Sequence, residues 1–221
     1  MTSVASRRRV IFAGAATAAW LLLFFATVAW FLGPDLTKAR NDKLIAFALH
    51  IGGGSVALLT APFQFIAPIR NRYRRYHRFS GYAFVGGSAA AILGYLVIMP
   101  GETDMFWLSQ LVAVSIWAAC VVVAILAIRR KHVLTHQHNM ARAFVIAAYF
   151  VVVRIIDRHL MWALEPFSKV EGARLAHSDW LAWVVPLILV EIWYGRKWDR
   201  LLKRRERPHQ PHTSASVASL P

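Results

Sequence analysis

The sequence predicts an all-α protein, a polytopic transmembrane bundle of six helices. Three observations carry this reading. Apolar residues make up 57% of the 221-residue chain, yet its formal net charge is +15. The two properties are segregated, the apolar residues falling in long runs and the basic residues between them. The runs meet or approach the roughly 18 residues that carry a helix across a ~30 Å hydrocarbon core. The alternation and turn signals of β-barrel strands do not occur.

The first run, Val10–Leu32, follows Arg7, Arg8 and Arg9. It exceeds the roughly 7–15 residues of a signal-peptide core and reads as a retained signal-anchor helix. The second is Leu44–Ala67, where Pro62 has no amide proton, frees the Leu58 carbonyl and predicts a kink. The third and fourth, Ser80–Met99 and Phe106–Ile128, are nearly free of charge. Cys120, the one cysteine, lies in the fourth, can form no intrachain disulfide, and reads as a small apolar core residue. The fifth, Ala141–Ala163, carries Arg154, Asp157 and Arg158 in its outer half. The sixth, Trp180–Tyr194, is the shortest and contains Pro186 and Glu191, the latter placed to snorkel or to pair with Arg196. Residues 1–9 form a basic amino-terminal segment, 10–195 the membrane domain, and 196–221 a basic tail whose Pro-, His- and Ser-rich end predicts disorder.

Basic loops are retained in the cytoplasm, so the Lys and Arg count sets the orientation. Nineteen basic residues fall on the side of both termini, among them Arg70, Arg72, Arg74, Arg75, Arg78, Arg129, Arg130, Lys131 and Arg142. Five fall on the other: Lys38, Arg40, Lys43, Lys169 and Arg174. The expected placement is the cell (inner or plasma) membrane with both ends cytoplasmic. Most acids, including Asp35, Asp42, Glu102, Asp104, Glu165, Glu171 and Asp179, fall to the external side. The charge then follows from topology and calls for no nucleic-acid partner; the expected partner is the bilayer, with anionic lipid at the cytoplasmic face. Aromatics at the span ends, such as Trp30, Tyr76, Trp107, Trp162, Trp180 and Trp198, fit interfacial belts.

Ionisable residues inside spans are costly and turn toward the bundle interior. His50 shares a helical stripe with Gly53, Gly54, Ala57, Ala61 and Gln64, small enough to admit another helix or a flat cofactor. His77 shares one with Gly81, Phe84, Ser88, Ala91 and Tyr95, the glycine giving clearance one turn on. His136, Met140, Ala143, Ala147 and Arg154 align along the fifth span, His136 and Arg154 lying about 27 Å apart on a straight helix. Two layers result: His77 and His136 at the cytoplasmic boundary, and His50 with Arg154 in the outer half, Asp157 being the local counter-ion expected for Arg154. Each group also has a structural reading, as interfacial histidines, a buried hydrogen-bonded histidine, or an intramembrane ion pair.

His50 with its glycines, Ala61-Pro62-Phe63-Gln64-Phe65, Arg70, His77-Arg78 with Gly81-Tyr82, the His136/Met140/Arg142 spacing and Arg154 occur in that order. Together they resemble the bacterial membrane-protein family known as domain of unknown function 2306, over about residues 44–158, leaving the first and last spans outside. The resemblance implies a multi-pass membrane protein with no assigned activity.

Three functions compete. One is a membrane redox or electron-transfer protein, with His77 and His136 as axial ligands of haem b, or with His50 and Arg154 holding the oxygen-rich head of a quinone. The dihaem arrangement of the b561 cytochromes does not fit, because the fourth span has no histidine. The second is a small-solute transporter using His50, Arg154 and Asp157. The third is a non-catalytic scaffold or assembly factor, for which His132, His136 and His138 offer only an unspecific metal spacing. No nucleophile–base pair, acidic dyad, phosphate loop or redox cysteine pair occurs, so no catalytic residue is assigned.

Overall fold

In hydrocarbon, a long apolar run satisfies its own backbone only as a helix. The computed structural model describes residues 4–31, 43–99 and 107–206, and these are helical with no strand among them. The helices are α1 (Val4–Phe31), α2 (Leu44–Thr60), α3 (Pro62–Phe65), α4 (Ala67–Arg72), α5 (Arg74–Ile98), α6 (Trp107–Arg129), α7 (Val133–Ala147), α8 (Tyr149–Ile155) and α9 (Glu171–Glu206). A π turn, Ile156–Leu160, and a 3-10 turn, Met161–Leu164, follow α8. Four segments among the described residues are long and apolar enough to cross a membrane: Leu44–Phe65, Arg74–Ile98, Trp107–Arg129 and Glu171–Leu201. The bent pair Val133–Ala147 and Tyr149–Leu164 makes a fifth if it is one span. The remaining expected span, the first, is α1, a 28-residue helix whose apolar stretch is the shorter Gly14–Ala26. Asp35, Asp42, Glu102, Asp104 and the tail beyond residue 206 lie outside the described residues.

The second run is interrupted where Pro62 predicts it. Ala61 closes α2, Pro62 opens α3, and Ile66, extended at ψ 106°, turns the chain into α4. Without an amide proton at Pro62, the Leu58 carbonyl has no donor one turn on. The indole Nε1 of Trp20 supplies one at 3.1 Å, tying α1 to the kink.

α2 and α5 pack backbone against backbone, and the glycines make this possible. A Cβ on Gly53 would stand 2.6 Å from the Ala91 nitrogen and the Gly87 oxygen. One on Gly87 would stand 2.6 Å from the Gly53 oxygen, and one on Gly94 2.5 Å from the Ala46 oxygen. The small-residue stripe around His50 is therefore covered by a helix at Gly53, while Gly54 faces the cavity described below. Gly81 lies elsewhere, where a Cβ would meet Gln64 Oε1 at an ordinary 3.6 Å.

α6 and α7 form the second tight pair, joined at Arg130-Lys131-His132. Lys131 takes φ 62°, and the amide of His132 bonds to Ala127 O at 2.9 Å while that of Lys131 bonds to Ile128 O at 3.0 Å. This is a Schellman closure with lysine at the position glycine usually holds.

The fifth run is not one straight helix. It bends by 40° at Ala148, so the stripe from His136 to Arg154 is broken midway. The last run is far longer than expected: α9 has 36 residues and continues through Pro186. Its extra turns carry Ser178 and Asp179 down from the expected external loop into the packed interior.

Candidate functional site

A cavity of about 250 Å³ lies among α1, α2, α5, α6, α7 and α8. Most of its wall is apolar, from Phe24, Leu58, Ala113, Trp117, Ile146 and Val153 among others. The polar groups on it are few: His50, Ser55, Tyr95, Gln110, Tyr149 and Arg154. The first layer expected from the sequence, His50 with Arg154, thus comes together on one cavity despite the break in the fifth run. The bend at Ala148 immediately precedes Tyr149 and Phe150, which border the cavity with Arg154.

His50 is positioned by the α2–α5 seam. Its Nδ1 donates to the Ala91 carbonyl at 2.8 Å. A carbonyl only accepts, so Nδ1 carries the proton and the Nε2 of a neutral ring presents a lone pair. The Tyr95 ring lies 5.9 Å away, and its hydroxyl donates to Gln110 Oε1 at 3.2 Å. Arg154 sits over the Phe150 ring at 5.7 Å. The wall thus combines an imidazole, a guanidinium and amide and phenol groups with a large apolar surface.

Behind Tyr149 lies a group that the sequence reading placed elsewhere. Asp179, placed among the external acids by sequence, is 4% exposed and accepts a hydrogen bond from the Tyr149 hydroxyl. Next to it, the Ser178 hydroxyl donates to Asp157 Oδ1 at 2.6 Å. Trp183 Nε1 donates to the Ser109 hydroxyl at 3.0 Å. The signal that could have found Asp179 is the helix-compatible run from Glu171 onward, whose first turns are polar enough to look like loop.

The second expected layer lies apart from this cavity, with His77 and His136 near enough to interact electrostatically. His136 Nδ1 donates to Ala124 O on α6 at 3.0 Å. His77 is partly buried, and its Nδ1 has no hydrogen-bond partner among the described residues. Neither residue borders the cavity around His50. His138 turns to α9 instead, 3.3 Å from Glu191 and stacked on Tyr194 at 4.4 Å. Among the described residues, no group of three or more His, Cys, Asp or Glu side chains is arranged to hold a metal ion.

Glu191 does not depend on Arg196. Arg142 grips it with two parallel bonds, Nε to Oε1 at 2.6 Å and Nη2 to Oε2 at 2.7 Å. Arg142 Nη1 also reaches Asn139 Oδ1 at 3.3 Å. The fork geometry of a guanidinium on a carboxylate fixes the rotation of α9 against α7.

Several apolar helices, a buried polar seam and a cavity between the helices define a helical membrane protein. The match to a family model confirms the class: residues 47–194 fit the predicted membrane protein family DUF2306. The chain belongs to that family. The matched region reaches the last long helix, which the sequence resemblance left outside, and excludes α1. No curated protein and no solved structure matches the chain.

Proposed function

We propose that this protein binds a membrane-soluble small molecule with an oxygen-rich head, of the quinone type, in the cavity shared by His50 and Arg154. The observation that supports this is the distribution of polarity on the wall. A few convergent polar groups on a mostly apolar surface suit a ligand with a polar head and an apolar body. The guanidinium donates to a head-group oxygen, and the His50 Nε2 lone pair accepts from a head-group hydroxyl. A membrane redox role follows from this ligand class. The haem alternative would use His77 and His136 as ligands, and the cavity lends it no support because neither residue borders it.

A second reading, small-solute transport, draws support from the break at Ala148 beside the cavity. Discontinuous helices line substrate sites in many transporters.

In either case we propose six spans, with α1 crossing the membrane and both termini cytoplasmic in the cell membrane. Arg70, Arg72, Arg74, Arg75, Arg78, Arg129, Arg130 and Lys131 then face anionic lipid.

Titration of detergent-purified protein with a short-tail ubiquinone, followed by tryptophan fluorescence, tests the binding. Trp117 on the cavity wall should be quenched saturably, with weaker binding in His50→Ala and Arg154→Met. Quenching that stays linear with quinone, or is unchanged in both variants, would refute the site. Optical spectra of the same preparation, oxidised and reduced, should show no haem bands; bands lost in His77→Ala and His136→Ala would favour the haem alternative.

A further inference from the structure

Tyr149 lines the cavity and has a buried carboxyl, Asp179, behind it. Its hydroxyl donates to Asp179 Oδ1. The second oxygen, Oδ2, is buried without a hydrogen-bond partner among the described residues. Asp179 itself does not border the cavity, and Tyr149, which does, carries the hydroxyl bonded to it, with Gln110 beside them on the wall. A structural carboxylate in a membrane protein interior normally has both oxygens satisfied, because an uncompensated buried charge is costly. Here Tyr149 holds one oxygen, Ser109 and Gln110 lie beside the carboxyl, and the second oxygen accepts no bond of good geometry, so a proton would remove a charge that is only partly compensated.

We propose that Asp179 is the proton acceptor for the ligand in this cavity and that Tyr149 relays the proton to it. The inference rests on the quinone-type reading of the site. In the step, the O–H bond of a bound hydroquinone breaks and its proton passes to Tyr149 Oη. The phenolic proton of Tyr149 passes at the same time to Asp179 Oδ1. The ligand is left as the hydroquinone anion on a wall that carries the Arg154 guanidinium, and Asp179 becomes a neutral acid. No electron moves in this step, so it needs no oxidant. Of the other charged groups near Asp179, Asp157 is held by Ser178 Oγ at 2.6 Å. Tyr149 and Asp179 are positioning and proton-transfer residues here, distinct from the head-group contacts of His50 and Arg154.

Infrared difference spectroscopy of the full-length protein, with a short-tail ubiquinol or its quinone added, reads the carboxyl directly. Ubiquinol should raise a carboxylic-acid C=O band that shifts in deuterium oxide, and the quinone should not. Asp179→Asn should lose the band while the oxidised quinone still quenches Trp117. Tyr149→Phe should also lose it, which keeps the test decisive if Asp179→Asn fails to fold. Ubiquinol binding without the band, or a band that survives in either variant, overturns the relay and leaves the binding site standing. Absence of saturable binding by either probe removes the site itself and the relay with it.

Discussion

At the residue scale, the tightest constraint in the molecule is the absence of a β-carbon. Gly53, Gly87 and Gly94 let α2 and α5 meet with backbone atoms 2.5–2.6 Å from where a Cβ would be. Helix association in lipid lacks a hydrophobic drive and depends on such close packing. Gly87→Val should therefore separate the two helices, lower stability by roughly 1–3 kcal/mol, and disturb His50, whose ring is held by Ala91 across the same seam. Gly52→Ala and Gly86→Ala, where nothing lies within 4 Å, should be near neutral. Thermal unfolding of the three variants in detergent checks this, and equal losses in all three would sink the argument. The glycines themselves were legible in sequence as a stripe beside His50. Whether a helix or a cofactor filled that stripe was not, because the partner surface belongs to residues some 40 positions away.

At the element scale, the break in the second run and the docking of α1 are one feature. Pro62 removes a donor and Trp20 replaces it, at 3.1 Å from Leu58 O. Trp20 also packs edge-on against Phe144 with centroids 5.4 Å apart. Trp20→Phe keeps most of the packing and removes the hydrogen bond, so it should cost about 1 kcal/mol. In a Pro62→Ala background the chain has its own amide for that carbonyl, and the same substitution should cost less. A double-mutant cycle measures the coupling; a coupling near zero would mean the indole bond contributes nothing to holding α1. Pro62 as a kink could be read from sequence, because a missing amide is a local fact. The 40° bend at Ala148 could not, since Ala147-Ala148-Tyr149 carries no proline or glycine. The length of α9 was also hidden. Its first turns, Glu171–Asp179, are polar on the outside and resemble a loop, yet they fold back so that Asp179 meets Tyr149 and Arg174 pairs with Glu165 at 3.1 Å.

At the scale of the whole molecule, the distribution of basic residues predicts the orientation. Reporter fusions after Arg9, within residues 70–78, after Lys131 and in the tail should report the cytoplasm, and fusions near Asp35, Glu102 and Glu171 the far side. A fusion after Arg9 and one near Asp35 reporting the same side would mean that α1 does not cross, and the span count would fall to five. α1 matters beyond topology, because Phe24 on it is 2% exposed and forms one wall of the cavity. Thus a helix outside the family-matched region completes a site whose other walls lie within it. By itself the sequence determined the class, all-helical and membrane-embedded, the run boundaries to within a turn or two for most helices, and the pairing of His50 with Arg154 in one layer. Those are consequences of hydropathy and helical period, which each residue carries locally. Only the tertiary structure decided that the small stripe receives a helix at Gly53, that Glu191 answers Arg142 rather than Arg196, and that Asp179 is buried behind Tyr149. Each of these depends on which helix faces which, and in a bilayer apolar runs of similar length give no sequence-local signal of their neighbours.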